Sequence, residues 1–277
     1  MWGKIALTMS AFAANSIFCR LALAERMIDP YSFSLIRILS GIFALILLIH
    51  SADVVKPKRE NWKGGLCLTG YMFAFSVAYV RLDAGMGALL LFGTVQISMA
   101  LYAVYKGEKV TWLRGMGLLV AFLGMLVLFL PTTHAPSLFY ALMMMVAGLS
   151  WVAYSLIGMS AERPIMMTYY NFIWAVPIGV LLSFMSPHSL ILHWNGVILA
   201  MLSGALTSGL AYALWYDLLK HLDRMTASTL QLSVPCLALL AGVVFLNEVF
   251  SLRMLLATVM VLSGILLLIF AGKNKKA

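Results

Sequence analysis

Two arginines lie inside apolar segments of this chain. Arg20 is embedded near the end of the first segment, and Arg37 lies about a third of the way into the second. Inserting a guanidinium into hydrocarbon is costly. Because arginine cannot shed its proton, each side chain must find a carboxylate, a carbonyl, water or an anionic ligand. Two nearby arginines would therefore suit a carboxylate or phosphate group.

Both arginines also have structural interpretations. Arg20 could extend its apolar stem so that its charged head reaches the water interface. Arg37 could pair with Asp29 or with backbone carbonyls and fix the second segment against its neighbours. We expect Arg20 to contact substrate and Arg37 to have a structural or gating role.

Aromatic and amide side chains in other apolar segments could complete a pocket. They offer stacking faces and uncharged hydrogen-bonding groups. Tyr212 and Tyr216 are four residues apart and share a helix face, as do Trp151 and Tyr154 at a spacing of three. The predicted substrate contacts are Asn15, Arg20, Tyr79, Gln96, Trp151, Tyr154, Tyr212, Trp215 and Gln231.

Acidic residues and histidines are missing from the middle of every apolar segment. A buried carboxylate proton relay is therefore not expected, and a permanent cation would lack a counter-charge. An intramembrane enzyme would need a nucleophile with a base, or a metal cluster, and the sequence has neither pattern. We predict no catalytic residue, metal or cofactor, and a substrate that is a zwitterion, an anion or a neutral solute.

Composition sets the class of protein. Hydrophobic residues make up 63% of the 277 positions and charged residues 10%, which a soluble domain could not accommodate. Apolar segments of roughly 20 residues, the length that spans a bilayer, recur between short polar connections. The ten predicted spans are 2–24, 31–50, 63–81, 84–105, 113–131, 137–159, 166–186, 196–220, 226–247 and 252–272.

The second half of the chain repeats the first. Residues 81–130 align without gaps to residues 221–270, matching Asp83 to Asp223, Glu108 to Glu248 and Gly124 to Gly264. A unit with an odd number of spans must enter the bilayer in opposite senses in its two copies. We therefore predict an all-α membrane protein of ten transmembrane helices, built as two inverted five-helix repeats. The predicted repeats are residues 1–133 and 134–277, an arrangement typical of secondary transporters.

The net charge of +9 indicates topology rather than nucleic-acid binding. Basic residues collect on alternate connections and on the C-terminal tail, and such residues favour the cytoplasmic side. We expect both termini to be cytoplasmic, in a bacterial inner (plasma) membrane, with the lipid bilayer and a small-molecule substrate as partners and no nucleic acid. The sequence leaves the oligomeric state open, and a monomer is compatible with it.

Three further residues join Arg37 as structural or gating candidates. Pro235 interrupts the ninth segment and removes a backbone donor, which predicts either a moving kink or a permanent bend. Glu108 and Glu248 follow the fourth and ninth segments, where a carboxylate could cap the next helix or pair with a nearby arginine.

Together these residues resemble the drug/metabolite transporter superfamily, in its EamA-like branch. The resemblance covers essentially the whole chain. It implies ten helices in two repeats around a central cavity lined by helices one, three, four, six, eight and nine. Phe12 and Arg20 stand where many members have tryptophan and lysine. The markers are Asn15 to Arg20, Arg37, Trp151, Ser208 to Tyr216, Gln231 to Pro235, and Glu248.

The expected function is a secondary transporter that exposes one central site to each side in turn. We expect it to export small polar metabolites, with amino acids or related zwitterions as the favoured class. A multidrug or organic-cation exporter and a lipid-handling subunit without transport activity are the alternatives.

Overall fold

The computed structural model describes residues 1–49, 61–105, 107, 112–128, 137–159, 161–184, 190–222, 230–231, 233–249 and 251–273. These residues confirm the prediction of an all-helical chain, and the described parts contain ten helices. In chain order they are α1 Trp2–Ala24, α2 Pro30–Ile46, α3 Asn61–Tyr79, α4 Ala84–Tyr105, α5 Trp112–Leu128, α6 Leu138–Gly158, α7 Pro164–Phe184, α8 Trp194–Leu219, α9 Ser233–Leu246 and α10 Leu252–Lys273.

The helices have the length and composition of an integral membrane protein. Five of those described, α1, α4, α6, α7 and α8, are long and apolar enough to cross a bilayer. Four shorter apolar stretches fall in the described parts of α2, α5, α9 and α10. Large apolar side chains remain exposed on the outside of the bundle, as Phe43, Leu181 and Phe184 illustrate. Such a surface suits contact with lipid.

Helix α2 begins where the sequence places a capping pair, Asp29 followed by Pro30. The Asp29 carboxylate accepts hydrogen bonds from the backbone N–H groups of Tyr31 and Ser32 at 3.0 and 2.9 Å. Proline fits the first helical position because its missing N–H has no intrahelical partner there. Asp29 therefore caps its own helix, and this contact replaces the pairing with Arg37 considered from the sequence.

Helix α8 contains a π-helical segment at Ala205–Leu210 and crosses α2 at very short range. An ideal Cβ on Gly209 would lie 2.7 Å from the carbonyl oxygen and 3.0 Å from the Cα of Gly41. Only glycine permits this approach of the two backbones. The crossing brings the π segment, a feature often found at functional sites, beside the middle of α2.

Apart from the contact of α4 with α10, the contacts between the first five and last five helices come in matched pairs. The contact of α3 with α6 corresponds to that of α8 with α1. The contact of α4 with α6 corresponds to that of α9 with α1, and the contact of α3 with α7 corresponds to that of α8 with α2. The contacts α2 with α7, α4 with α9, and α5 with α10 are their own counterparts. In each pair, one contact is obtained from the other by replacing every helix with the helix five positions away in chain order.

Helices α5 and α10 meet through the two glycines that the repeat aligns. An ideal Cβ on Gly124 would lie 2.8 Å from the Cβ of Met260, and one on Gly264 would lie 2.5 Å from the backbone nitrogen of Ala121. Each glycine therefore allows the opposite helix to approach closely. Positions that align between the two halves of the sequence are thus used for the same contact.

Replacing Gly209 by alanine tests the α2–α8 crossing. The added methyl group meets the backbone of Gly41, which cannot move aside as a side chain can, so Gly209→Ala should destabilise the fold by about 1–3 kcal/mol. Gly115→Ala is the matched control, because an ideal Cβ there has no atom within 4 Å. Thermal unfolding of the detergent-purified variants should show a lower melting temperature for Gly209→Ala alone. Equal melting temperatures would contradict the packing described.

Candidate functional site

Helix α3 presents a stripe of aromatic rings at a spacing of four residues. Tyr71 and Phe75 have ring centroids 5.2 Å apart, and Phe75 and Tyr79 have centroids 4.6 Å apart. All three side chains are buried. Of the three, only Tyr79 was predicted as a site residue, although the spacing in the sequence marks the whole stripe.

Trp151 lies at the centre of an aromatic cluster, which consists of Phe12, Tyr71, Trp151, Tyr154, Tyr212, Trp215 and Tyr216. The Trp151 ring centroid is 5.0 Å from those of both Tyr71 and Tyr212, and 5.6 Å from that of Phe12. Its indole N–H donates to the Gln231 side-chain oxygen at 3.2 Å. Helices α1, α3, α6 and α8 therefore meet at this cluster.

The remaining members of the aromatic cluster extend it along α6 and α8. Tyr154 stacks between Trp151 and Tyr216, with centroid distances of 5.6 and 5.0 Å. Trp215 is fully buried and lies 5.9 Å from Phe12, edge to face. The i, i+3 and i, i+4 spacings read from the sequence thus place these rings on shared faces.

Asn15 joins α1 to α8. Its side-chain oxygen accepts hydrogen bonds from Ser203 at 2.7 Å and Thr207 at 3.0 Å, and Thr207 lies in the π segment. Asn15 is 2% exposed. The bulge in α8 therefore directs a hydroxyl group toward a polar side chain of the other half of the chain.

Arg37 is fully buried beside the aromatic cluster. Its Nε donates to the Ser208 hydroxyl at 2.8 Å, and its Nη2 donates to the Tyr212 hydroxyl at 2.7 Å. The guanidinium carbon also lies 5.4 Å from the Tyr71 ring centroid and 5.3 Å from that of Phe75, within cation–π range. All four neighbours are uncharged.

Arg20 lies in a different environment, which we call the Arg20 cluster: Arg20, Asp83 and Glu248. Its Nη2 bonds the Asp83 carboxylate at 3.0 Å, and its Nε lies 3.5 Å from the Glu248 carboxylate. Its Nη1 also donates to the backbone oxygen of Tyr79 at 3.4 Å. Two carboxylates thus compensate this guanidinium, and the contacts connect α1 with the α3–α4 and α9–α10 connections.

Glu248 has a second role in the Arg20 cluster. Its carboxylate accepts the backbone N–H of Ala84 at 2.7 Å, so it satisfies one of the free donors at the start of α4. Burial raises the pKa of Glu248 above its ordinary value of 4.5, while the bond from Ala84 and the charge of Arg20 oppose the rise. Removal from water therefore outweighs the favourable contacts.

At the other end of the bundle, α1 is joined to α8 by a more exposed ion pair. The Lys4 ammonium lies 3.0 Å from the Asp217 carboxylate, and the two side chains are 58% and 38% exposed. A pair this exposed contributes little to stability. The Arg20 cluster is less exposed, with Arg20 at 19% and Glu248 at 8%, although Asp83 is as exposed as Asp217.

A second group of buried polar atoms lies between α6 and α7. The hydroxyls of Tyr154 and Thr168 and both amide atoms of Asn171 have no hydrogen-bond partner within the described residues. The backbone oxygen of Tyr154 accepts a hydrogen bond from the Tyr216 hydroxyl at 3.0 Å, but the Tyr154 hydroxyl itself has no partner among the described residues. Unsatisfied buried groups of this kind often mark a place where water or a ligand binds.

The other predicted site residues have the following positions. Gln96 is buried on α4, which packs against α6 and α9. Pro235 is buried at the third residue of α9. Glu108 lies outside the described residues. Trp151, Tyr154, Tyr212 and Trp215 belong to the aromatic cluster, and Gln231 bonds Trp151. Asn15 lies one helical turn from Phe12 on α1 and bonds α8. Tyr79 contributes its backbone oxygen to Arg20, while its hydroxyl donates to the backbone oxygen of Ala84 at 3.2 Å.

The groups at the site are suited to binding. It combines aromatic faces, neutral donors and acceptors, and one buried guanidinium. Across the described parts of the chain, no group of three or more histidine, cysteine or acidic side chains could hold a metal ion. The arrangement suits reversible binding of a small polar solute.

Glu248→Ala and Glu248→Gln separate the two roles of Glu248. Glutamine keeps an oxygen for the Ala84 N–H, so we expect near wild-type stability; alanine removes the helix cap and should cost about 0.5–2 kcal/mol. Asp83→Asn is the control, because it removes the more exposed partner of the same arginine. The melting temperatures of the three variants give the order of their stabilities. A melting temperature for Glu248→Ala no lower than that for Asp83→Asn would contradict the capping role.

The raised pKa of Glu248 gives stability a defined pH dependence. The folded protein holds this proton to higher pH than the unfolded chain, so the free energy of unfolding should fall as pH rises from 4.5 through the raised pKa. Glu248→Gln lacks the group and should lose that component. The measurement is the melting temperature of both proteins across this pH interval. A wild-type advantage that grows with pH would reverse the sign and refute the assignment.

Comparisons with known proteins agree with a transporter. The profile of the EamA-like transporter family matches residues 138–270. A protein of Pseudomonas aeruginosa, named only as uncharacterized, is 42% identical over 264 residues, which cover 95% of this chain and 92% of that one. An uncharacterized transporter of Archaeoglobus fulgidus is 23% identical, with 97% of this chain and 98% of that one covered.

Two further comparisons extend over nearly the whole chain. The uncharacterized transporter YoaV of Bacillus subtilis is 23% identical, with 90% of each chain covered. A solved crystal structure, described only as that of a protein, shares the fold with a TM-score of 0.65 at 17% identity, over 97% of this chain and 99% of that one. The chain belongs to the EamA-like transporter family of the drug/metabolite transporter superfamily.

Proposed function

We propose that this protein is a secondary transporter that exports small polar metabolites by alternating access, with amino acids or related zwitterions as its substrates. The substrate site lies at the aromatic cluster, between the first and last five helices. Asn15, Trp151, Tyr212 and Gln231 provide polar and stacking contacts there. Two halves that rock about such a site would open it to each side in turn.

The observation that carries this proposal is that buried and part-buried polar contacts join the two halves. A static bundle could bury its halves against each other with apolar side chains alone, at lower cost than polar ones. A polar interface is instead what a path for a polar solute requires. The contacts are Asn15 to Ser203 and Thr207, Arg37 to Ser208 and Tyr212, and Ala84 to Glu248.

The matched helix contacts support two inverted repeats. Exchanging each helix for the one five positions later reproduces the matched contacts described above. This is the pattern expected of two related units around a twofold axis. Since each unit has five helices, that axis would lie in the membrane plane and the units would have opposite orientations.

The charge distribution supports an orientation with both termini in the cytoplasm of a bacterium, the protein lying in its inner membrane. Lys4 and Lys220 are then on the cytoplasmic side, as the distribution of basic residues favours. The Arg20 cluster lies at the opposite end of α1 and closes the external side. When this cluster opens, a substrate carboxylate can replace that of Asp83 on Arg20, so Arg20 serves both gating and substrate passage.

Counterflow in proteoliposomes tests the proposal. Purified protein is reconstituted with an unlabelled amino acid inside, and uptake of the trace radiolabelled amino acid is followed. A carrier gives a transient accumulation above equilibrium, which saturates with concentration. Gly115→Ala should retain this activity and Gly209→Ala should lose most of it, because Gly209→Ala disturbs the contact between α2 and α8.

The same vesicles distinguish the alternatives. Counterflow of organic cations without amino acids would replace the proposal by a multidrug exporter. Movement of labelled lipid between leaflets without solute flux would replace it by a lipid-handling protein. Cells that overproduce the protein should release the transported amino acid faster than cells that overproduce an inactive variant, and faster uptake instead would reverse the direction.

A further inference from the structure

Arg37 combines complete burial with an incomplete set of partners. It lies on the eighth residue of α2, about 10 Å along the helix from its first residue. Its side chain is among the largest that are fully buried in the described structure. A guanidinium at this depth cannot neutralise itself by losing a proton. Its charge must be balanced by something in contact with it.

The described protein supplies no negative charge for Arg37. Asp83 and Glu248 pair with Arg20, Asp217 pairs with Lys4, and Asp29 caps α2. No described carboxylate forms an ion pair with Arg37. The two arginines therefore have different partners: Arg20 contacts two carboxylates, whereas Arg37 contacts only hydroxyl groups and aromatic rings.

The free side of the guanidinium is defined by the bonds it already makes. Nε and Nη2 donate to Ser208 and Tyr212, which are four residues apart on α8 and so lie on one side of the group. Nη1 has no hydrogen-bond partner within the described structure. The two N–H groups of Nη1 are thus held in a fixed direction by the bonds on the other edge.

We propose that Arg37 is the anion-binding group of the central site, and that its Nη1 edge receives the carboxylate of the substrate after that carboxylate has left Arg20 or before it reaches it. The proposal rests on the proposed function, since it names the substrate class recognised at the same central site. A carboxylate matches the planar fork of a guanidinium and forms short, charge-assisted hydrogen bonds with it. In this position it also supplies the missing counter-charge.

The neighbours of Arg37 restrict the class of substrate further. Tyr71, Phe75 and Tyr212 surround it with uncharged aromatic surface. A single positive group suits a singly charged carboxylate, whereas a doubly charged phosphate would leave a negative charge unbalanced. Aromatic faces also accept apolar side chains and, through cation–π contact, an ammonium group. The favoured ligands are amino acids with apolar or uncharged side chains.

Binding assays with matched ligand pairs test the proposal without requiring transport. The probes are phenylalanine, leucine and threonine, each beside its own amide, which lacks the carboxylate charge. We expect the amino acids to raise the melting temperature of the detergent-purified protein and to bind about tenfold more tightly than their amides. Equal affinity for acids and amides, or no effect of any acid, would overturn the proposal.

Variants at Arg37 and Ser208 assign that preference to one residue. Arg37→Gln should lose the preference for acids, and because it removes a buried charge its melting temperature should equal or exceed that of the wild type. Arg37→Lys keeps the charge but not the fork, so it should retain a weakened preference. Ser208→Ala leaves Nη1 in place and should retain the preference. An unchanged preference in Arg37→Gln, with a lower melting temperature, would make Arg37 a structural residue only.

Counterflow separates this inference from the proposed function. Carboxylate-selective counterflow that is lost in Arg37→Gln supports both. Amino-acid counterflow that persists in Arg37→Gln with its selectivity intact overturns the role of Arg37 and leaves the carrier standing. Arg37-dependent binding without any counterflow keeps the binding site and overturns the carrier. If Arg37→Gln does not fold, the weakened preference in Arg37→Lys decides the role.

Discussion

A lipid bilayer gives polar side chains no water to bond with, so every polar atom in the bundle needs a partner from the protein or from a ligand. This constraint accounts for the main features of the structure. Asp29 caps its own helix, Asn15 accepts two hydroxyl groups, and Glu248 satisfies an N–H at the start of α4. The atoms left without a described partner are therefore informative. Most of them belong to residues in or beside the aromatic cluster, namely Arg37, Tyr154, Ser155, Thr168, Asn171 and Trp215.

The two embedded arginines show how the same residue type can serve different purposes. Arg20 is held by two carboxylates at the end of a helix, where separation of charges could accompany opening. Arg37 is held only by neutral groups. Glu248 shows the cost of such contacts, since burial raises its pKa despite a nearby arginine and a backbone donor. Ion pairs in this environment do not stabilise the fold strongly, which makes them suitable as contacts that form and break.

The sequence predicts the helices well, because each is coded locally. Asp29 and Pro30 mark the start of α2, and the spacing of Trp151 and Tyr154 places both rings on one face. The partners of the arginines are not coded locally. Asp83 is 63 residues from Arg20, and Ser208 is 171 residues from Arg37, so no spacing rule connects them. The sequence therefore did not indicate that Arg37 lies beside the aromatic rings. Tyr71 could have been found, since it continues the four-residue pattern of Phe75 and Tyr79. The π segment of α8 has no comparable signal in the sequence.

The long sequence separation of Arg37 from its partners also has a consequence for biosynthesis. The ribosome makes α2 long before it makes Ser208 and Tyr212, so the nascent first half enters the membrane with a guanidinium that lacks these two bonds. Asn15 likewise lacks its hydrogen bonds from Ser203 and Thr207 until α8 has been made. Until α8 is inserted, these polar groups must be accommodated by lipid headgroups, water or the insertion machinery. The hydrogen bonding of the first five helices is thus completed only when the second five are in place.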